Sequence, residues 1–434
     1  MNTLSPAVRT AVHVAELARA AGLPIPAKIR PVLEVAAAPW PAEWLLSKRP
    51  EDPKRCVELF AGPGGWSEGM AAILGIRFDV VGVDISADAC ATARAAGHRR
   101  ICADITTLDP EHPALHATSG VIISPPCPSF STSGKRAGLL QANVDLLAEV
   151  IAYCGEAAGL IRLDEVCCDE LYPDLDDCPM CEEFGYHSGY APRTGATWAE
   201  VRAMLDGLTD PRIGLMAEVA IWPLGLQAGG APVEFVAMEQ SANLPQQVID
   251  ELQTEFYSAD WAMTDYEILE ATHFGVASRR ERVFLIASRH DCVSLLSAKK
   301  TPAYPTTTMA QALGWGDGER MNTRGNRPVD PTTGRAKGGN CFSADRPSWC
   351  LTGKARTWVR ESDGYRLNPA EAGALVGFRT TYPWAGSRSS AFQQSADVVC
   401  PPMAAVVLGS LLKVPWNHLV RDYVAHLYRY DLAA

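Results

Sequence analysis

The chain is 434 residues long, with 39 lysines and arginines against 50 aspartates and glutamates, so its formal net charge is −11. With 47% hydrophobic and 21% charged residues it is neither disordered nor collagen-like, and at roughly 100–200 residues per domain it has room for two or three domains. No run approaches the ~18 consecutive apolar residues of a membrane helix, and the first residues lack a signal-peptide core, so a cytoplasmic protein without membrane contact is expected. The 13 cysteines, odd in number and mostly scattered, fit reduced thiols better than a disulfide framework.

In chain order, residues 1–53 read as a helical extension and linker. From Cys56 the pattern changes. CVELF is a buried strand, and AGPGGWSEGM is a glycine-rich turn opening a helix. FDVVGVDIS, RRICADIT and GVIISPPC are further strands, with a helix through Ala89–Ala96. Strand, turn and helix repeating at this spacing predict an α/β, Rossmann-like, parallel doubly wound sheet. NVDLLAEVIAYCGEAAGLIRL reads as a helix. Between Arg162 and Arg193 come nine carboxylates with no lysine or arginine, together with four cysteines. TWAEVRAMLDGL and DPRIGLMAEVAIWPLGL read as helices, and VEFVAMEQ and ERVFLIASR as strands. Residues 291–366 have little periodicity and form a small irregular domain. From Glu319 to Arg366 there are ten basic residues against five acidic ones. A local basic surface matters more for nucleic acid than the global sum. LNPAEAGALVGF and MAAVVLGSLL are helical again.

The turn Phe60-Ala61-Gly62-Pro63-Gly64-Gly65 joins a strand to a helix, where glycine permits positive φ and close approach of a ligand. Asp84, twenty residues after Gly64, ends the next strand, where a carboxylate accepts bonds from a ribose diol. Asp104 holds the corresponding place one strand later, within reach of an adenine amino group or as a cap on the next turn. The turn has neither a Walker Lys-Ser/Thr pair nor G-x-G-x-x-G spacing, which favours S-adenosylmethionine over ATP or NAD. In Ser124-Pro125-Pro126-Cys127 a thiol follows a strand at the carboxyl edge of the sheet, aimed by stiff prolines.

FAGPGG, then PPCPSFS, then VAMEQ, then FGVASRRERVFLIAS, together resemble the DNA (cytosine-5) methyltransferase family, in that family's order and over most of the chain. The resemblance implies a cofactor site at Phe60, Ala61, Gly62, Gly64, Gly65, Asp84, Ile85, Asp104, Ile105, Pro126 and Asp397. It makes Cys127 the nucleophile, Glu239 the group that holds or protonates cytosine N3, Arg282 a donor to O2 and Arg280 a support on the Cys127 side. A thiolate adding to C6 makes C5 nucleophilic toward a sulfonium methyl, and a base inside a duplex must first be flipped out. The loop from Ser129 to Asn143 resembles the family's mobile loop, with Gly134 and Gly138 as hinges and Ser131, Lys135 and Arg136 as DNA contacts. The implied partner is double-stranded DNA at a specific sequence. The enzyme would work in a bacterial or phage-infected cell, with or without a cognate restriction endonuclease. RNA as the substrate, and a silent binding protein on the same fold, are the rival readings.

Three departures stand out. The family's Asn near the C-terminus is Asp397 here, and its carboxylate should repel a carboxylated cofactor, which favours plain S-adenosylmethionine. The segment between the nucleophile and Glu239 is longer than the family needs. Its acidic part, about 164–192, carries Cys178-x2-Cys181, which with Cys168 and His187 makes a candidate structural zinc site turned away from DNA. The family's Gln-x-Arg-x-Arg begins with Ser278. The expected division is a catalytic domain over 54–290, a target-recognition domain over 291–366 with Arg324, Arg327 and Lys337 on DNA, and C-terminal helices over 367–434 completing the catalytic domain.

Overall fold

The computed structural model describes residues 4–126, 130, 137–161, 193–323, 328–334 and 340–429. Among these, the central sheet has seven strands: β1 Arg55–Leu59, β2 Asp79–Asp84, β3 Arg100–Cys102, β4 Thr118–Ile123, β5 Phe235–Ser241, β6 Met263–Glu270 and β7 Glu281–Ser288. Their spatial order is β3-β2-β1-β4-β5-β7-β6. The first five pair in parallel, but β7 runs antiparallel to both β5 and β6. The all-parallel expectation is therefore corrected at this strand. The reversal has a local consequence: it brings the N-terminal end of β7, with Arg280 and Arg282, beside the carboxyl end of β5. Strand β6 was not anticipated. Its sequence, MTDYEILE, belongs to a half-exposed edge, where polar residues break the apolar run.

Alternation along the inner strands divides the core in two. Val57, Leu59, Val121, Ile123, Val236 and Met238 face one side, packed against helix α5 (Gln141–Ala158) and the helix Glu218–Ala228. Cys56, Ile122, Phe235, Ala237 and Phe284 face the other, against Trp66 and the helix Pro401–Leu411. Burial on both faces is why the strands read as near-continuous apolar runs. The N-terminal extension docks through Trp40, stacked on Trp44 and edge-on to Trp222, while the Trp44 indole donates to Asp79 at 2.7 Å.

Within 291–366 a three-stranded antiparallel sheet forms from Arg320–Asn322, Cys341–Ser343 and Val359–Arg360. Its apolar residues Met321, Phe342 and Trp358 join the same core as Trp66 and Phe392, so this region packs onto the sheet's second face. The run Arg388–Leu411 is apolar and long enough to cross a bilayer, but 89% of its apolar window is buried inside the protein, as in a core helix. None of the eight described cysteines forms a disulfide with another described residue.

Candidate active site

The order β2-β1-β4 makes β1 and β4 the point at which the sheet's connections diverge, and ligands of such sheets bind outside the carboxyl ends of those strands. Both signature turns sit there. After β1, Phe60 takes φ 53° although it is not glycine, a local strain of the kind found at functional turns. Asp84 at the end of β2 fixes the turn, accepting from Gly62 N at 2.8 Å and from Ser86 N at 2.8 Å. The glycines act in different ways. Beside Gly62 (φ 51°) an added Cβ would meet open space, whereas at Gly65 it would lie 2.0 Å from the carbonyl oxygen of Val399. Gly65 thus serves close packing with the C-terminal segment, and Gly62 faces open room. The Trp66 indole donates to Ser124 Oγ at 2.8 Å and ties the turn after β1 to the end of β4.

The second half of the site comes from β5 and β7. Glu239 pairs across the ladder with Phe284, and Arg282 lies one diagonal away on the same face. Arg282 Nε is 2.9 Å from Glu239 Oε1, and Arg280 Nη2 is 3.9 Å from the same oxygen. Burial pushes the Glu239 carboxyl up from its ordinary value, while Arg282 and Arg280 pull the other way. Arg280 is itself buried and donates to the backbone oxygens of Ala396 (2.6 Å) and Asp397 (3.2 Å). Gln240, where the resemblance expects Asn, donates through Nε2 to the Pro125 carbonyl at 3.1 Å and so holds the turn leading to Cys127.

A cavity of about 670 Å³ joins these parts. Phe60, Ala61, Gly62, Gly65, Asp84, Ile85, Asp104, Ile105, Pro126, Glu239, Arg280 and Asp397 all line it. Gly64 and Arg282 do not: Gly64 (φ 110°) caps the helix start Gly65–Glu68, and Arg282 pairs with Glu239. Asp104 Oδ1 accepts from Thr106 N at 3.0 Å, so it caps a turn while still bordering the cavity. Cys127, Ser131, Lys135, Arg136, Arg324, Arg327 and Lys337 lie outside the described residues. So do Cys168, Cys178, Cys181 and His187, and among the described residues no cluster suits a metal ion. Phe130 is fully buried, and a Cβ on Gly138 would strike its ring at 2.6 Å, so Gly138 is a packing glycine in this conformation rather than an open hinge.

Sequence reasoning missed one wall. Arg202, Leu205, Leu208, Pro211, Leu215 and Glu218, all from the long segment before β5, close the cavity opposite the glycine-rich turn. The buried Glu218 receives Arg202 through two bonds, at 2.7 and 2.9 Å. The only signal for this wall was the excess length of the segment.

The C-5 cytosine-specific DNA methylase family model matches residues 54–158 and 233–327. The chain carries a C-5 cytosine-specific DNA methylase domain. The interruption, 159–232, is the segment that supplies the extra wall of the methylase cavity. Among solved structures, the S. pombe Dnmt2 methyltransferase shares 13% identity, covers 83% of this chain and 98% of its own, and superposes with a TM-score of 0.50, which shows a common fold. A putative DNA modification methyltransferase encoded within an E. coli prophage shares 13% identity over 83% of this chain and 99% of its own, with a TM-score of 0.49. No curated protein sequence matches the chain.

Proposed function

We propose that this methylase transfers a methyl group from S-adenosylmethionine to carbon 5 of a flipped-out cytosine in double-stranded DNA, at a specific sequence, through a covalent bond between Cys127 and C6. The observation that carries the reading is the cavity that puts the glycine-rich turn and Asp84 in one space with Glu239 and the Pro125-Pro126 end of β4. Its charge supports a cationic cofactor. Asp84, Asp104, Asp206 and Asp397 line it, against Arg212 and Arg280, once the Arg202–Glu218 pair and Glu239, whose proton burial favours, are set aside. Such a lining suits a sulfonium and repels phosphates. It also favours plain S-adenosylmethionine over a carboxylated form.

When bound, S-adenosylmethionine supplies an electrophilic methyl group. Phe60 to Gly65, Asp84, Ile85, Asp104 and Ile105 would hold its adenosine. The protein's own chemistry begins with the Cys127 thiolate, which adds to C6 and raises the electron density at C5. Glu239, whose proton is favoured by burial, donates to N3 as negative charge builds on the ring. Arg282 orients that carboxyl and donates to O2. Loss of the C5 proton and then of the thiol restores aromaticity. The basic region between Glu319 and Arg366, with the loop around Lys135 and Arg136, would contact DNA.

Mass spectrometry of nucleosides from a host without cytosine methylation tests the reading, with wild type against Cys127→Ala. 5-Methyldeoxycytidine is expected with the wild type alone, and bisulfite mapping then gives the sequence. Methylcytidine confined to RNA would overturn the DNA reading, and its absence from both would overturn the enzymatic one. Structural zinc at Cys168, Cys178, Cys181 and His187 rests on the spacing Cys178-x2-Cys181. Elemental analysis should find about one zinc per chain, lost in Cys178→Ser/Cys181→Ser; a metal-free wild type would end that idea.

A further inference from the structure

We infer that Asp397 makes the cavity discriminate the charged sulfonium cofactor from its neutral thioether product. The inference rests on the cofactor reading above and concerns a residue in which this chain departs from the family pattern.

Asp397 ends the helix Arg388–Asp397 and lines the cavity. Its position is fixed from two sides. Arg280 holds its backbone oxygen at 3.2 Å, and Gln393 donates to Oδ2 at 2.7 Å. Its surroundings place it along the cavity's length. Arg280, which donates to its backbone oxygen, lies 3.9 Å from Glu239 Oε1, so Asp397 borders the Glu239 end of the cavity. A ligand whose ribose meets Asp84 and whose methyl points toward Glu239 would bring its sulfur toward that end, where Asp397 lines the wall. Burial favours the proton on Asp397, while Gln393 and the two arginines favour the charge, so a cation bound beside it brings the carboxyl back toward its ionised form.

Methyl transfer changes the ligand in two ways there: the sulfur loses a methyl group and a full positive charge. A carboxylate in a partly dehydrated cavity interacts strongly with a cation a few ångströms away and hardly at all with a thioether. The neutral amide of an asparagine would offer only a dipole. In this chain, then, the charge difference between cofactor and product becomes an affinity difference, which lets the spent product leave in the presence of fresh cofactor.

The test is titration calorimetry of the full chain with S-adenosylmethionine, S-adenosylhomocysteine and sinefungin, in which a protonated amine replaces the sulfonium. Wild type is compared with Asp397→Asn at neutral pH, with a thermal melt of each to confirm folding. Wild type is expected to bind both cationic ligands more tightly than the thioether, by about tenfold or more. In Asp397→Asn both preferences should collapse together while thioether affinity holds or improves. Should that variant melt early, Asp397→Ser removes the charge without requiring the Gln393 bond, and the same collapse is expected. An unchanged preference in a folded uncharged variant overturns the assignment. A wild type that binds all three ligands equally overturns it too, leaving the cofactor site intact. A wild type that binds none of them overturns the cofactor reading itself.

Discussion

Glu239 and Glu255 are both buried carboxyls, and they illustrate what burial does with and without a cationic neighbour. Glu239 has Arg282 and Arg280 beside it, yet desolvation dominates and the proton is favoured. If that proton is what supports the developing charge at N3, turnover should fall as pH rises through the raised Glu239 value. Glu239→Gln should lower kcat by about 10²- to 10⁴-fold, lose that alkaline limb, and leave cofactor binding close to wild type by calorimetry. Glu255, on the helix Gln246–Ser258, has no arginine; burial pushes it up to about 8, Glu251 and Glu156 add to the rise, and the Gly155 N–H donated to it opposes it. Between the ordinary value of 4.5 and about 8 the folded chain holds a proton that the unfolded chain has released. Stability is therefore full below that window and is lost as pH rises through it. Glu255→Gln should flatten this dependence and raise the unfolding free energy above pH 8 by about 2 kcal/mol, read from denaturant melts across pH.

At the scale of elements, the site is made by approaches between segments far apart in sequence, and Gly65 marks the tightest. Since a Cβ there would lie 2.0 Å from Val399 O, Gly65→Ala must push the Val398–Val399 segment off the turn. About 1–3 kcal/mol of stability should go, with weakened cofactor affinity, and urea melts with calorimetry check both. The same approach explains what could be read from the amino-acid order. The strands of the sheet and the turns after β1 and β4 were legible, because buried runs and glycine or proline turns are local patterns. Strand β6 was hidden by its polar edge residues. The direction of β7 was hidden because an apolar run carries no sign of its orientation. Asp397 was visible as an unusual residue but not as a neighbour of Arg280, and the Arg202 to Glu218 wall had no local signal. Gln240 stood directly beside Glu239 in plain view, yet its bond to Pro125 depends on strand pairing that only the fold supplies.

At the scale of the whole molecule, the described residues on either side of the acidic segment 162–192 meet. Thr194 N donates to Glu156 O, and a Cβ on Gly159 would lie 3.0 Å from that of Arg193, so the residues flanking the excursion are already neighbours. Loop-closure cost grows slowly with length, and the flanking contacts do not depend on what lies between. Replacing 162–192 with a short glycine-serine linker should therefore change stability by less than about 1 kcal/mol and preserve cofactor binding. Loss of folding in that variant would mean that the segment carries part of the core.

The cavity is lined both by Phe60 to Gly65 and by Asp397 to Val399, segments that meet in space but lie far apart in the polypeptide. During synthesis the glycine-rich turn emerges from the ribosome early and waits, with no partner for Gly65, until nearly the whole chain has followed. A nascent or prematurely terminated product thus has the signature turns but no closed pocket. Closure of the pocket waits until the helix Arg388–Asp397 and the Val398–Val399 segment have been made and docked.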